Sequence, residues 1–138
     1  MAAEYEPQVF LFLSQILRKK MIDVKGRPLG QILDVVVPLG EPYPSVSGVL
    51  VKPDHRGTPV IMPWRNLVEV NGCFVVDTRE ADTSWEGGTE AEEIWLKESL
   101  LDKQIVDTNG AKVRRVNDLQ FLMARGGLYL IHVDVGFR

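Results

Sequence analysis

The sequence predicts an all-β fold: two tandem small barrel-like units with short helical turns, the second unit incomplete. Three observations predict it. Residues 19–37 read KKMIDVKGRPLGQILDVVV and return 84 positions later, at 103–121, as KQIVDTNGAKVRRVNDLQF. Asp23 then meets Asp107, Gly26 meets Gly110 and Asp34 meets Asp118, while Leu29, Ile32 and Val35 meet Val113, Val116 and Leu119. A fixed offset with matching turn glycines and matching apolar positions is an internal repeat. Second, the apolar runs are short and separated by Gly-, Pro- and Asn-bearing turns, a pattern of sheet rather than of helix bundles. Third, Asn109-Gly110 suits a type I′ turn, whose two central residues need positive φ. A small sheet must protect its edges, and closure into a barrel does that best.

The elements follow in order. Residues 10–13 form a short strand and 14–17 a helical turn; their repeat mates are 94–97 and 98–101. Thr89-Glu90-Ala91-Glu92 has the form of a capping box that would open a helix over 90–101. The matching stretch before Phe10 has no helical pattern, so the repeat favours the strand. Residues 21–24 are a strand, Lys25-Gly26 the turn and 29–37 the return strand. Ile32, Val35 and Val37 cannot share one face of a straight strand, so a bulge or burial on both faces is expected. Residues 38–44 (PLGEPYP) are a loop, replaced in the second copy by 124–127 (ARGG). Residues 46–51 are the third strand, mated with 128–133. Residues 60–62 are the fourth, stopped by Pro63, which cannot donate to a ladder. Residues 65–68 read as a helical turn, and Asn71-Gly72 as a tight turn into a strand over 74–76. The first unit thus covers residues 8–80, a polar acidic linker 81–93, and the second, truncated unit 94–138. Nothing in the second copy answers to residues 58–77, and the chain reads as a piece cut from a longer one.

Bulk properties bound the function. The chain has 138 residues, 45% hydrophobic and 25% charged, with a net charge of −3. A chain of this length buries about 68% of its unfolded surface, enough for a real core. The acidic balance argues against a broad nucleic-acid footprint, which needs a basic excess. Cys73 is the single cysteine, so no disulfide forms within the chain and a reducing, cytoplasmic setting is expected. The N-terminal apolar run VFLFL at 9–13 is too short to span a membrane and no basic segment precedes it. No membrane contact by this segment itself is expected.

The repeat resembles the PRC-barrel family, small barrels that occur in the photosynthetic reaction-centre H subunit and in the ribosome maturation factor RimM. The first copy carries the leading turn at 17–20, the hydrophobic-Asp-x-x-Gly hairpin at 22–26, and a glycine-led strand ending in Asp at 30–34. It also carries the apolar strand at 49–51 and a strand running into Pro63-Trp64. The second copy keeps the hairpin and Val116-Asn117-Asp118, but Arg114 stands where the first has Gly30. With residues 102–107 (DKQIVD) and 132–136 (HVDVG), the tandem resembles the N-terminal cytoplasmic region of bacterial MgtE-like magnesium transporters. The resemblance implies a regulatory or adaptor module at the cytoplasmic face of the inner membrane, attached through a parent protein. It implies no catalytic residues.

Candidate chemistry is sparse. The repeated carboxylates Asp23, Asp34, Asp107 and Asp118 could bind Mg²⁺, a hard cation that seeks oxygen ligands. Hydrogen bonding at turns and strand ends is the simpler account of them, and no cofactor is expected. His55 reads as a solvated loop residue. His132 reads as a packed strand histidine, on the same face as Asp134 two positions on. Cys73 reads as a buried, inert thiol, lacking a base near it in sequence. Arg18-Lys19-Lys20 and Arg114-Arg115 read as solvated basic faces, and Trp64, Trp85 and Trp95 as core or interface anchors. The expectation is a non-catalytic module that binds protein partners or other domains of its parent chain, binds no nucleic acid, and self-associates through open strand edges as a homodimer. A free-standing assembly factor of the RimM or reaction-centre-H kind is the alternative.

Overall fold

A computed structural model describes residues 9–17, 19–53, 57–64, 67–70, 72–76, 92–107, 112–124 and 126–137. Among these residues lie eleven strands and two single-turn helices, an all-β protein. β1 (Val9–Phe12) runs into α1 (Leu13–Ile16), and β2 (Lys20–Asp23) and β3 (Pro28–Pro38) make the first hairpin. β4 (Gly48–Pro53), β5 (Val60–Pro63), β6 (Leu67–Val70) and β7 (Cys73–Val76) follow. The second half has β8 (Glu93–Trp95), α2 (Leu96–Ser99), β9 (Gln104–Asp107), β10 (Lys112–Ala124) and β11 (Gly127–Phe137). No helix among the described residues is long and apolar enough to cross a membrane.

The strands form two sheets. The larger runs β5-β4-β3-β2-β7-β6, with β8 also on β3; the smaller runs β1-β10-β11, with β9 also on β10. Two long strands organise them alike. β3 takes β2 along its first part (Gln31 opposite Lys20) and β8 along its last (Val36 opposite Trp95, Val37 opposite Ile94). β10 takes β9 along its first part (Arg114 opposite Ile105) and β1 along its last (Phe121 opposite Leu11, Leu122 opposite Phe10). Each half therefore lends its opening strand to the long strand of the other. Strand pairing crosses the sequence division into 8–80, 81–93 and 94–138, and Glu93, placed in the linker by the sequence, already belongs to β8.

The repeat extends to an irregularity. The β3–β4 register shifts between Ile32 and Asp34, and the β10–β11 register shifts between Val116 and Asp118, the equivalent positions. The extra residue lets side chains on both sides of the bulge reach the core, which accounts for the broken alternation in the sequence. Val35, Val36 and Val37 are all fully buried, so the end of β3 is covered on both faces. One contiguous core results. Leu11, Leu13 and Ile16 from the opening of the chain share it with Val35, Val49, Trp64 and Phe74, and with Leu96, Val116, Leu119 and Phe121.

Several expectations are corrected. Neither sheet closes into a barrel among the described residues: β5 and β6 end the larger sheet, and the free flank of β3 is taken by β8. Residues 65–68 are not a helical turn throughout, because Leu67 and Val68 belong to β6, paired with Val76 and Val75. Of a helix over 90–101 the described residues keep only Leu96–Ser99, behind a strand, so the helical turn begins two residues before the expected 98–101, as α1 at Leu13–Ile16 begins one residue before 14–17. The mate of the third strand lies further on than 128–133: Leu50 sits opposite Asp34 and Asp134 opposite Asp118, which makes Gly48–Pro53 equivalent to positions 132–137. β2 pairs in parallel with β7, Met21 opposite Phe74. A parallel pair needs a long crossover rather than a tight turn, so no local signal marks it. The Asn109-Gly110 turn, His55, Trp85, Arg18 and most of the linker lie outside the described residues.

Candidate functional site

The repeated carboxylates act as latches within the fold. Asp34, at 5% exposure, accepts at Oδ1 from the N–H groups of Val35 and Lys97, both at 2.7 Å, and at Oδ2 from the N–H of Glu98 at 3.1 Å. Asp118 accepts at Oδ1 from Leu119 N–H at 2.9 Å and Ser14 N–H at 3.2 Å, and at Oδ2 from Ser14 Oγ at 2.6 Å. Ser14 and Glu98 are themselves equivalent in the repeat, so each long strand holds the helical turn contributed by the other half. The unpaired N–H groups at the start of a helical turn need acceptors, and a carboxylate supplies two. Burial raises the pKa of Asp34 above its ordinary value, outweighing the N–H groups of Lys97, Glu98 and Val35 and the Lys97 charge.

Asp23 closes the first hairpin. Its Oδ1 accepts from the N–H groups of Lys25 and Arg27, both at 2.9 Å, and its Oδ2 from Arg27 Nε at 2.6 Å. Gly26 takes φ +80° at the turn, where a side chain would be strained. Burial works to raise the pKa of Asp23, but the backbone and guanidinium hydrogen bonds of Arg27, the Lys25 N–H and the Arg27 charge together hold it below the ordinary value. The stability this carboxylate contributes is fully present above its unfolded pKa, 3.8, and is lost as pH falls through the lower folded value. In Asp23→Asn, the stability deficit against wild type is expected to stay constant above about pH 5 and to narrow below 3.8, read by denaturant melts across pH. A deficit that does not change with pH would contradict this role.

These three aspartates are thus engaged with the backbone, at separate turns and strand ends. Asp107 ends β9, and its side chain lies outside the described residues. Among the described residues no group of three or more His, Cys, Asp or Glu side chains could hold a metal ion. His132 is exposed on β11 rather than packed, because its position faces away from the core that Val133 and Val135 pack against. Asp134 is exposed beside it. Cys73 is half-buried at the start of β7, in the other sheet, and not fully enclosed. Lys19 does not form an open basic face: it is half-buried, with Nζ 5.9 Å from the centre of the Phe74 ring. Arg114 and Arg115 are half-buried too.

Trp64 anchors the junction of the sheets. It is 4% exposed, stands edge-on to Phe74 at 5.2 Å, and donates from Nε1 to the Gly126 carbonyl at 3.2 Å. Beside it Val46 N–H donates to the Leu128 carbonyl and Leu130 N–H to the Pro44 carbonyl, tying the loop after β3 to β11. A cleft of about 450 Å³ opens here, lined by Ser45, Ser47, Trp64 and Tyr129 among others.

Among the described residues, an exposed apolar surface lies on the outer face of the smaller sheet. Leu11 and Phe121, opposite each other, point into the core, so Phe10 and Leu122, the next pair, point out. Phe10 is 48% exposed and Tyr43, on the loop after β3, is 61% exposed. Tyr43, Leu122, Tyr129 and Ile131 line an open apolar cleft of about 670 Å³. Aromatic side chains in an open apolar cleft provide contact area for a partner. Sequence reading missed this face because VFLFL is apolar at every position and does not declare which side is outside. No protein-family model matches the chain, and a search of curated proteins finds no match.

Proposed function

We propose that this chain is a non-catalytic docking module. Its working surface is the apolar outer face of the smaller sheet, and its partner is a protein segment or a neighbouring domain of the same parent polypeptide. The observation that carries this reading is the aromatic cleft of Tyr43, Leu122, Tyr129 and Ile131 with Phe10 exposed nearby. Large exposed apolar patches on otherwise polar surfaces mark sites of protein association. The sequence resemblance to PRC-barrel proteins, and to the cytoplasmic region of MgtE-like magnesium transporters, makes a magnesium transporter the parent of choice. On this reading the module regulates or positions a membrane protein from the cytoplasmic side, and Mg²⁺ acts elsewhere.

Photo-crosslinking in cells tests it. With a benzophenone amino acid in place of Tyr43, adducts are expected to join this position to other segments of a magnesium-transporter polypeptide. The same label at Val106, exposed on β9, serves as control. Adducts to ribosomal proteins would instead support the assembly-factor reading. Adducts no more frequent from Tyr43 than from Val106 would remove the docking face.

A further inference from the structure

Among the described residues, one edge of the smaller sheet is left open where the larger sheet is covered. In the larger sheet β5 lies along β4, with Met62 opposite Val49, Ile61 opposite Leu50 and Val60 opposite Val51. The register of β10 with β11 makes His132, Val133, Asp134 and Val135 the equivalents of Gly48, Val49, Leu50 and Val51. At the start of β11 the outer edge is tied to the loop after β3 by the bonds at Leu128 and Leu130. From Ile131 onward no strand pairs with that edge among the described residues. Sheet edges are usually guarded by proline, lysine or a covering element. β11 reads GLYLIHVDVGF and has no proline and no lysine.

We propose that this edge pairs with the same edge of a second copy of the chain, antiparallel about a two-fold axis at Val133. The register follows from charge. An axis at Val133 puts His132 of one copy opposite Asp134 of the other, twice, with an imidazole N–H facing a carboxylate each time. An axis at Asp134 would oppose two carboxylates, and an axis at His132 two imidazoles, both less favourable. Val133 meets its own copy on the inner side, as Met62 meets Val49 in the larger sheet. Both smaller sheets thereby become one continuous sheet, and a closed two-fold contact leaves no further edge of this kind to propagate. The contact is short, so the dimer belongs to the weak class of associations.

Sedimentation velocity on the full chain up to about 1 mM tests the proposal. Wild type is expected to dimerise. Asp134→Lys, which sets a cation opposite His132, is expected to weaken the dimer about tenfold or more. Adding His132→Asp to Asp134→Lys restores opposite charges across the axis and is expected to restore the dimer. Both side chains are exposed, so circular dichroism should match wild type in each variant. A wild type that stays monomeric overturns the proposal. So does an Asp134→Lys variant that dimerises as well as wild type, or a double variant no tighter than Asp134→Lys. A monomeric wild type that binds a synthetic peptide of residues 59–64 would also overturn it, and would assign the edge to a single β5-like strand.

Discussion

Asp34→Ala is expected to destabilise the protein by about 3 kcal/mol, because three N–H groups lose their acceptor at once in a site with little access to water. Val35 N–H is buried beside the carboxylate, and Lys97 and Glu98 N–H open the helical turn that β3 holds. The equivalent substitution, Asp118→Ala, is expected to cost about 1 kcal/mol, the usual loss for an exposed cap. Ser14 is exposed, so water takes over for the lost oxygen. Urea denaturation of both variants checks this, and equal costs would contradict the difference in burial. Asp34→Asn separates hydrogen bonding from charge. It keeps one acceptor oxygen but points an amide donor at another N–H. The pKa of Asp34 is raised, so its contribution is fully present below the unfolded value of 3.8 and declines as pH rises through the folded value. The advantage of wild type over Asp34→Asn should therefore shrink with rising pH in that window, opposite in sign to Asp23→Asn.

Gly30→Ala is the second large effect, expected at about 3 kcal/mol, the upper range for overpacking. A Cβ on Gly30 would press on the Lys52 carbonyl oxygen, with the Lys52 carbonyl carbon at 2.9 Å and Val51 Cγ1 at 3.0 Å. The first two are backbone atoms of β4 and cannot rotate away. Gly30 is held from the other side as well, opposite Met21 of β2. Relief requires β4 to move from β3, which would disturb Val49 and Val51 in the core. A melting temperature within about 2 °C of wild type would show that the strands can separate freely. The repeat carries arginine at the equivalent position, Arg114, opposite Phe137 on β11, so this pinch belongs to the first half alone.

What could be read from the sequence was local. The hairpin at Asp23–Gly26 declares itself through a turn glycine and an aspartate that hydrogen-bonds its own backbone, and the repeat declares the bulge twice. The exchange of opening strands could not be read, because VFLF and EIW would pair as well with their own half as with the other. Leu67 and Val68 resembled a helical turn because the four-residue window held no alternation, and only pairing with β7 makes them strand. His132 was misplaced for a related reason: its side is set by the register shift at Ile131, between Leu130 opposite Phe121 and His132 opposite Gln120, and one extra residue reverses the face of everything after it.

The borrowed opening strands carry a consequence for biosynthesis. While a ribosome has released only the first half, β1 has no complement, because β10 does not yet exist, and β3 lacks the strand that will cover its far end. Leu11, Leu13 and the valines of β3 then wait, unsheltered, until β8 and β10 emerge. Such exposed segments are where nascent chains aggregate or recruit chaperones. Maturation thus waits until β10 has been made, and a chain cut short before it is a sticky remnant, not a smaller working unit.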